Sequence, residues 1–142
     1  MKYVYIDLKK LILNSILIVH YKHPLQKMKQ IFIPSLNQEI SYSVGKNEKD
    51  NFNIIDNSHE KDIWFHLDNT SSPHVIAHVS NFEKLDKKQL RQIVTQGAVL
   101  CKSNSKSKSE KNIVVNYTFI KNITKTDNPG TIISSNIKSI KI

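Results

Sequence analysis

The chain has 142 residues, which suits one domain with a real core rather than two of ordinary size. Its 21 Lys plus Arg against 12 Asp plus Glu leave a formal charge of +9, which favours polyanionic partners, and only three glycines and four prolines exclude a fibrous or linker-dominated chain. A single cysteine, Cys101, excludes an internal disulfide and a cysteine-based zinc cluster and fits a reducing, cytoplasmic setting. No apolar run is long enough to span a membrane.

Residues 1–27 read as an N-terminal extension, and the domain proper as 28–142. Leu8, Leu11, Ile12, Ile16 and Val19 fall near helical spacing and predict a helix over 7–21, which Pro24 stops. The short apolar run after Lys9 and Lys10 is interrupted by Asn14 and Ser15, and no small-residue cleavage site follows, so secretion is not expected. Strands are predicted over 29–33 and 39–44 around a turn at 35–38, with Ile40, Tyr42 and Val44 on one face. Gly45-Lys46-Asn47 follows. Asn47 suits an N-cap, Asp50 suits the first turn, and Phe52, Ile54 and Ile55 give a short helix over 48–55 its apolar side. Such a strand, glycine and helix start can hold a phosphate on free N–H groups beside Lys46, or can be an ordinary helix cap. It is not a P-loop, because the second glycine and the Lys-Ser/Thr pair are missing.

The stretch 61–79 holds the one tryptophan and three of the six histidines. As a strand, 62–68 puts Ile63, Phe65 and Leu67 on one face and Trp64 and His66 on the other. After the turn formers at 69–73, Val75, Ala77 and Val79 alternate with His74, Ile76 and His78, so the pair reads as a hairpin. One face is apolar packing. The other carries rings that can stack on bases, although an indole in a sheet equally suits a core. Asp86 with Gln89 forms a capping box that opens a helix over 86–103, and Leu90, Ile93, Val94, Gly97, Ala98 and Cys101 share its inner face. Cys101 is thereby a core residue rather than a nucleophile. The Ser- and Lys-rich segment 103–111 reads as a mobile basic loop. A strand over 112–120, a turn at Asn128-Pro129-Gly130, and closing strands over 131–134 and 137–142 complete the chain. The expected class is α+β, a mostly antiparallel sheet of about six strands with the long helix packed across one face.

Several motifs recur in a known order: Gly45-Lys46-Asn47 with Asn51; Asp62-Ile63-Trp64-Phe65-His66; Ser71-Ser72 with His74-Val75; Lys102-Ser103-Asn104-Ser105-Lys106; Val115-Asn116-Tyr117-Thr118; Lys125; and Gly130 before a strand. In this the sequence resembles the NFACT-R domain, the RNA-binding module of ribosome quality-control factors and of bacterial proteins once called fibronectin-binding. It looks closest to the stand-alone eukaryotic branch, in which a coiled coil follows the domain. It departs from the pattern at Ser71-Ser72-Pro73-His74, where many members have Pro-Gly-Ser-His, and at Asn116, where an acidic residue is usual. The coiled coil, and the other branch's amino-terminal domain and helical arms, have no counterpart here, so binding is what the resemblance transfers.

The resemblance implies a non-catalytic domain that binds structured RNA, transfer or ribosomal, with no cofactor. Lys46, Lys102, Lys106 and Lys125 would contact phosphate, Trp64, His66 and His74 would stack or make polar contacts, and Asn47 and Ser105 would support the backbone. DNA is the nearest alternative ligand. A metal-dependent hydrolase using His66, Asp68, His74 and His78 is disfavoured, because strand residues four apart lie roughly 13 Å from each other. A protein adaptor working through a sheet edge is the remaining class.

Overall fold

The computed structural model describes residues 27–142, and the helix expected over 7–21 lies outside them. In chain order the elements are β1 (Lys27–Ile33), β2 (Gln38–Val44), α1 (Glu48–Asp56), β3 (Ile63–Leu67), β4 (Val75–His78), α2 (Lys87–Ser103), β5 (Val114–Phe119), β6 (Ile123–Lys125), β7 (Ile132–Ser134) and β8 (Lys138–Lys141). Six strands form an antiparallel sheet in the order β1-β2-β4-β3-β5-β8. The fold is α+β.

Alternation sets the two faces as expected. Ile63, Phe65 and Leu67 join Val75, Ala77 and Val79 in the main core, where Ile93, Val94, Ala98 and Cys101 of α2 meet them. Gly97 lets this helix come close: a Cβ there would stand 2.2 Å from the Phe65 ring. The α2 entry is fixed by the capping box, with the Gln89 N–H donating to Asp86 Oδ1 at 2.8 Å and the Asp86 N–H to Gln89 Oε1 at 2.9 Å. Tyr42 donates its hydroxyl to the Ile93 carbonyl at 2.9 Å, and burial pushes its phenol pKa up.

The opposite face of the sheet is covered over β3 and β4, while at β1 Met28 and Phe32 stay exposed. Trp64 and Ile76 pack with Ile54 and Ile55 of α1, and Ile123 and Ile132 close over them. Ile123 and Ile132 belong to a separate hairpin, in which β6 pairs with β7. The strand expected over 131–134 therefore does not close the main sheet; only β8 does. A single 3-10 turn over Ile120–Asn122 redirects the chain after β5, and β6, three residues long, is too short to show as a periodic pattern.

Two further features are local. Segment 103–111 is not a loose basic loop: Ser105 donates its hydroxyl to the Lys102 carbonyl at 2.7 Å and accepts the Ser107 N–H at 3.1 Å, and both serines are buried. The hydroxyls supply the partners that a polar segment otherwise takes from water, while Lys106, Lys108 and Lys111 stay exposed. Asp62, just before β3, is fully buried and works as a junction. Its carboxylate accepts the N–H groups of His59, Val79 and Ser80 at 2.9–3.0 Å and contacts His78 Nδ1 at 3.3 Å, while His78 Nε2 lies 2.6 Å from Ser43 Oγ. Burial pushes this carboxyl pKa up, but the hydrogen bonds from His78, His59 and Val79 outweigh it and hold it below the usual range.

Candidate nucleic-acid interface

At the end of β2 the chain turns directly into α1, and the missing side chain of Gly45 makes room for that of Asn51: a Cβ on Gly45 would sit 1.8 Å from Asn51 Oδ1. The Gly45 N–H donates to the His74 carbonyl at 2.9 Å, tying the turn to the start of β4. Asn47 caps the helix as expected, its Oδ1 accepting the Asp50 N–H at 2.9 Å, and Asp50 in return accepts the Lys46 N–H at 2.9 Å. The Lys46 side chain is left exposed beside the helix start.

Across from it lies the end of α2. There Lys106 is exposed, Ser105 is buried, and Asn104 donates its side-chain amide to the Leu100 carbonyl at 2.8 Å. Between these two ends runs the segment Ser71-Ser72-Pro73. Together the three pieces line a groove of about 330 Å³ that includes Lys46, Asn47, Asn51, Asn104, Ser105 and Lys106. Four of the nine expected contact residues thus meet in one place. Lys27 also reaches this place, donating to Asn104 Oδ1 at 2.6 Å, a contact between residues far apart in the chain that no spacing signals. Asn51 and Asn104 belong to the recurrent motifs, but only the fold shows that both line the groove.

The remaining lysines stand apart. Lys102 is half-buried in the last turn of α2 and does not line the groove. Lys125 is exposed near the far end of α1, paired with Asp56 and with its ammonium 5.2 Å from the Phe52 ring centroid. Nine helical residues separate the two ends of α1, about 13 Å.

Of the three rings expected to stack, two are buried. Trp64 is 4% exposed and His74 2% exposed. The indole N–H donates to His74 Nδ1 at 3.1 Å, and the indole stacks on His66 with centroids 5.8 Å apart and planes 8° apart. His66 and His74 meet edge to face at 5.1 Å. Neither Trp64 nor His74 is therefore open to a stacking base in this structure. The cause is the cover of α1 and the β6–β7 hairpin, which strand alternation cannot reveal. His66 is half-buried, its Nδ1 2.6 Å from the Leu67 carbonyl.

Burial, then the neighbouring His66, push the His74 pKa down to about 3, against a hydrogen bond to the Gly130 backbone. Burial likewise lowers that of His66, offset in part by its bond to Leu67. These imidazoles are neutral at pH 7 and add no charge to the groove. Nor do His66, His74 and His78 form a metal site with Asp68: His78 is engaged with Asp62 and Ser43, Asp68 accepts from Asn116 at 3.0 Å, and no group of three or more His, Cys, Asp or Glu among the described residues is placed to hold a metal. Cys101 is fully buried, and burial raises its thiol pKa to about 11, as suits a packing residue.

Among solved structures, the chain is similar to the C-terminal part of the fibronectin/fibrinogen-binding protein from Streptococcus suis, with a TM-score of 0.67 and 21% identity. The likeness covers 84% of this chain but 46% of that one, so this chain spans less than half of that relative's length, and at this identity the likeness speaks for the fold alone. No curated protein matches the chain in sequence. The family model described as NFACT protein RNA binding domain matches residues 28–139, which include every residue of the groove except Lys27 at its rim, and the chain accordingly belongs to that family of RNA-binding domains.

Proposed function

We propose that the chain binds structured RNA, transfer or ribosomal, without catalysing a reaction, and that the groove between the start of α1 and the end of α2 is where the phosphate backbone lies. The observation that carries this is the meeting of Lys46 and Lys106, from distant segments, around a groove with Asn47, Asn104 and Ser105. Lysines of this kind supply sequence-independent, salt-sensitive affinity. Lys125 stands near the far end of α1 and would have to give up Asp56 to touch RNA. Trp64 and His74 act in this reading as the packed support beneath the groove wall rather than as a stacking platform. The order of the motifs supports placing the chain with the stand-alone branch of the family.

The test is a salt titration of affinity for transfer RNA. A Lys46→Ala/Lys106→Ala variant should flatten the slope of log affinity against log salt by roughly 0.7–0.9 per lysine. An unchanged slope removes both from the interface. Duplex DNA as competitor at fixed salt separates the nucleic acids, because a preference for RNA requires the 2′-hydroxyl or A-form shape to be felt.

A further inference from the structure

We infer that the groove holds one phosphodiester group of the RNA at a defined position, with the side-chain amide of Asn51 as its neutral donor and Lys46 and Lys106 as its counter-charges. This rests on the RNA-binding reading and gives it a specific contact.

Asn51 lies in the first half of α1 and is only 7% exposed. Its orientation is determined by its neighbour: the His74 backbone N–H, which can only donate, lies 3.2 Å from it, so the atom facing His74 is the carbonyl oxygen Oδ1. Nδ2 then forms the other end of the amide, and it has no acceptor among the described residues. A buried amide donor without a partner is unfavourable unless a ligand or water completes it. The side chain also lines the groove that Lys46 and Lys106 border.

The helix start adds donors of the same kind. The N–H groups of Asn47, Glu48 and Lys49 find no acceptor among the described residues, whereas those of Asp50 and Asn51 are taken by Asn47. What converges is therefore a set of donors and two ammonium groups, which asks for an anionic ligand that only accepts. A phosphate oxygen meets that description. Glu48 also borders the groove, with its stem placed against Gly130, and its carboxylate disfavours a second negative charge. That points to a singly charged phosphodiester within a chain rather than a doubly charged terminal phosphate.

The experiment follows the Asn51 side-chain amide and the backbone amides of residues 47–49 by nitrogen-15 NMR during titration with three small probes and with transfer RNA. The dinucleotide UpU and transfer RNA should shift all of these resonances, inorganic phosphate at pH 7.5 should shift them less than UpU at equal concentration, and uridine should leave them in place. Asn51→Asp keeps the acceptor for the His74 N–H but replaces the donor by an oxygen and a negative charge. It should abolish the UpU response and weaken transfer RNA binding by roughly tenfold or more. Shifts with uridine as large as with UpU would assign the amide to a base carbonyl and overturn the inference. So would an unresponsive Asn51 in parent protein that binds transfer RNA, which leaves the RNA reading intact. Parent protein that fails to bind transfer RNA sinks that reading instead, whatever UpU does.

Discussion

Trp64 and His74 show how far a residue's chemistry can mislead when its surroundings are unknown. Their types suit base stacking, yet the indole N–H is already committed to His74 Nδ1. That bond requires a neutral imidazole, and burial provides one by lowering the His74 pKa from 6.5 to about 3. In the unfolded chain His74 takes a proton near pH 6.5, so the unfolded state binds more protons between about 6.5 and 3. Stability from this group is complete above about pH 6.5 and lost progressively as the pH falls through that window. Urea denaturation at pH 7.5 and pH 5 should show a loss of about 1–2 kcal/mol, reduced in a His74→Gln variant. The same environment yields a second prediction. As the only tryptophan, Trp64 should be shielded from iodide quenching, and Trp64→Phe should lower stability by about 1–3 kcal/mol while leaving the affinity of the folded protein for RNA unchanged. A fall in affinity would return Trp64 to the binding surface.

At the scale of elements, α2 was readable because several local signals agree: the Asp86–Gln89 box, the apolar stripe and Gly97 on that stripe. Gly97 is the most exacting of them, since its missing Cβ is what lets the helix lie against Phe65. Gly97→Ala should cost about 1–3 kcal/mol in a thermal or urea melt, because the ring cannot withdraw from a filled core. Neutral behaviour would mean that α2 can lift off the sheet at little cost. The elements that sequence reading mistook, the 103–111 segment and the β6–β7 hairpin, share a physical cause. Both are short and polar or weakly periodic, and both depend on partners elsewhere: serine hydroxyls folded onto backbone in the first case, a three-residue pairing over a buried tryptophan in the second.

For the molecule as a whole, the question is whether a charge of +9 acts as a diffuse field or through a patch. Lys87 and Lys88 provide the comparison. They are exposed at the start of α2, whereas the groove lies at its end, and seventeen helical residues put about 25 Å between them. Replacing Lys87 and Lys88 by alanine removes the same charge as replacing Lys46 and Lys106. If the groove is the interface, the first pair should leave the salt slope for transfer RNA nearly unchanged, because that distance exceeds the screening length of about 8–10 Å at physiological salt. Equal effects from the two pairs would mean that net charge alone drives association.

What the sequence determined by itself was everything that depends on period and local chemistry. The two faces of β3 and β4, the caps of both helices, the burial of Cys101 and the class of the fold all follow from neighbours within a few residues, where alternation and hydrogen-bond geometry leave few options. The tertiary structure alone decided which charges share a place and which rings are covered. Lys46 and Lys106 meet because a sheet brings the end of β2 beside the end of α2, and Trp64 is sealed because α1 folds back over a face that could have stayed open. Convergence of distant segments leaves no periodic trace in the chain, since each segment satisfies its own local rules whether or not the other arrives.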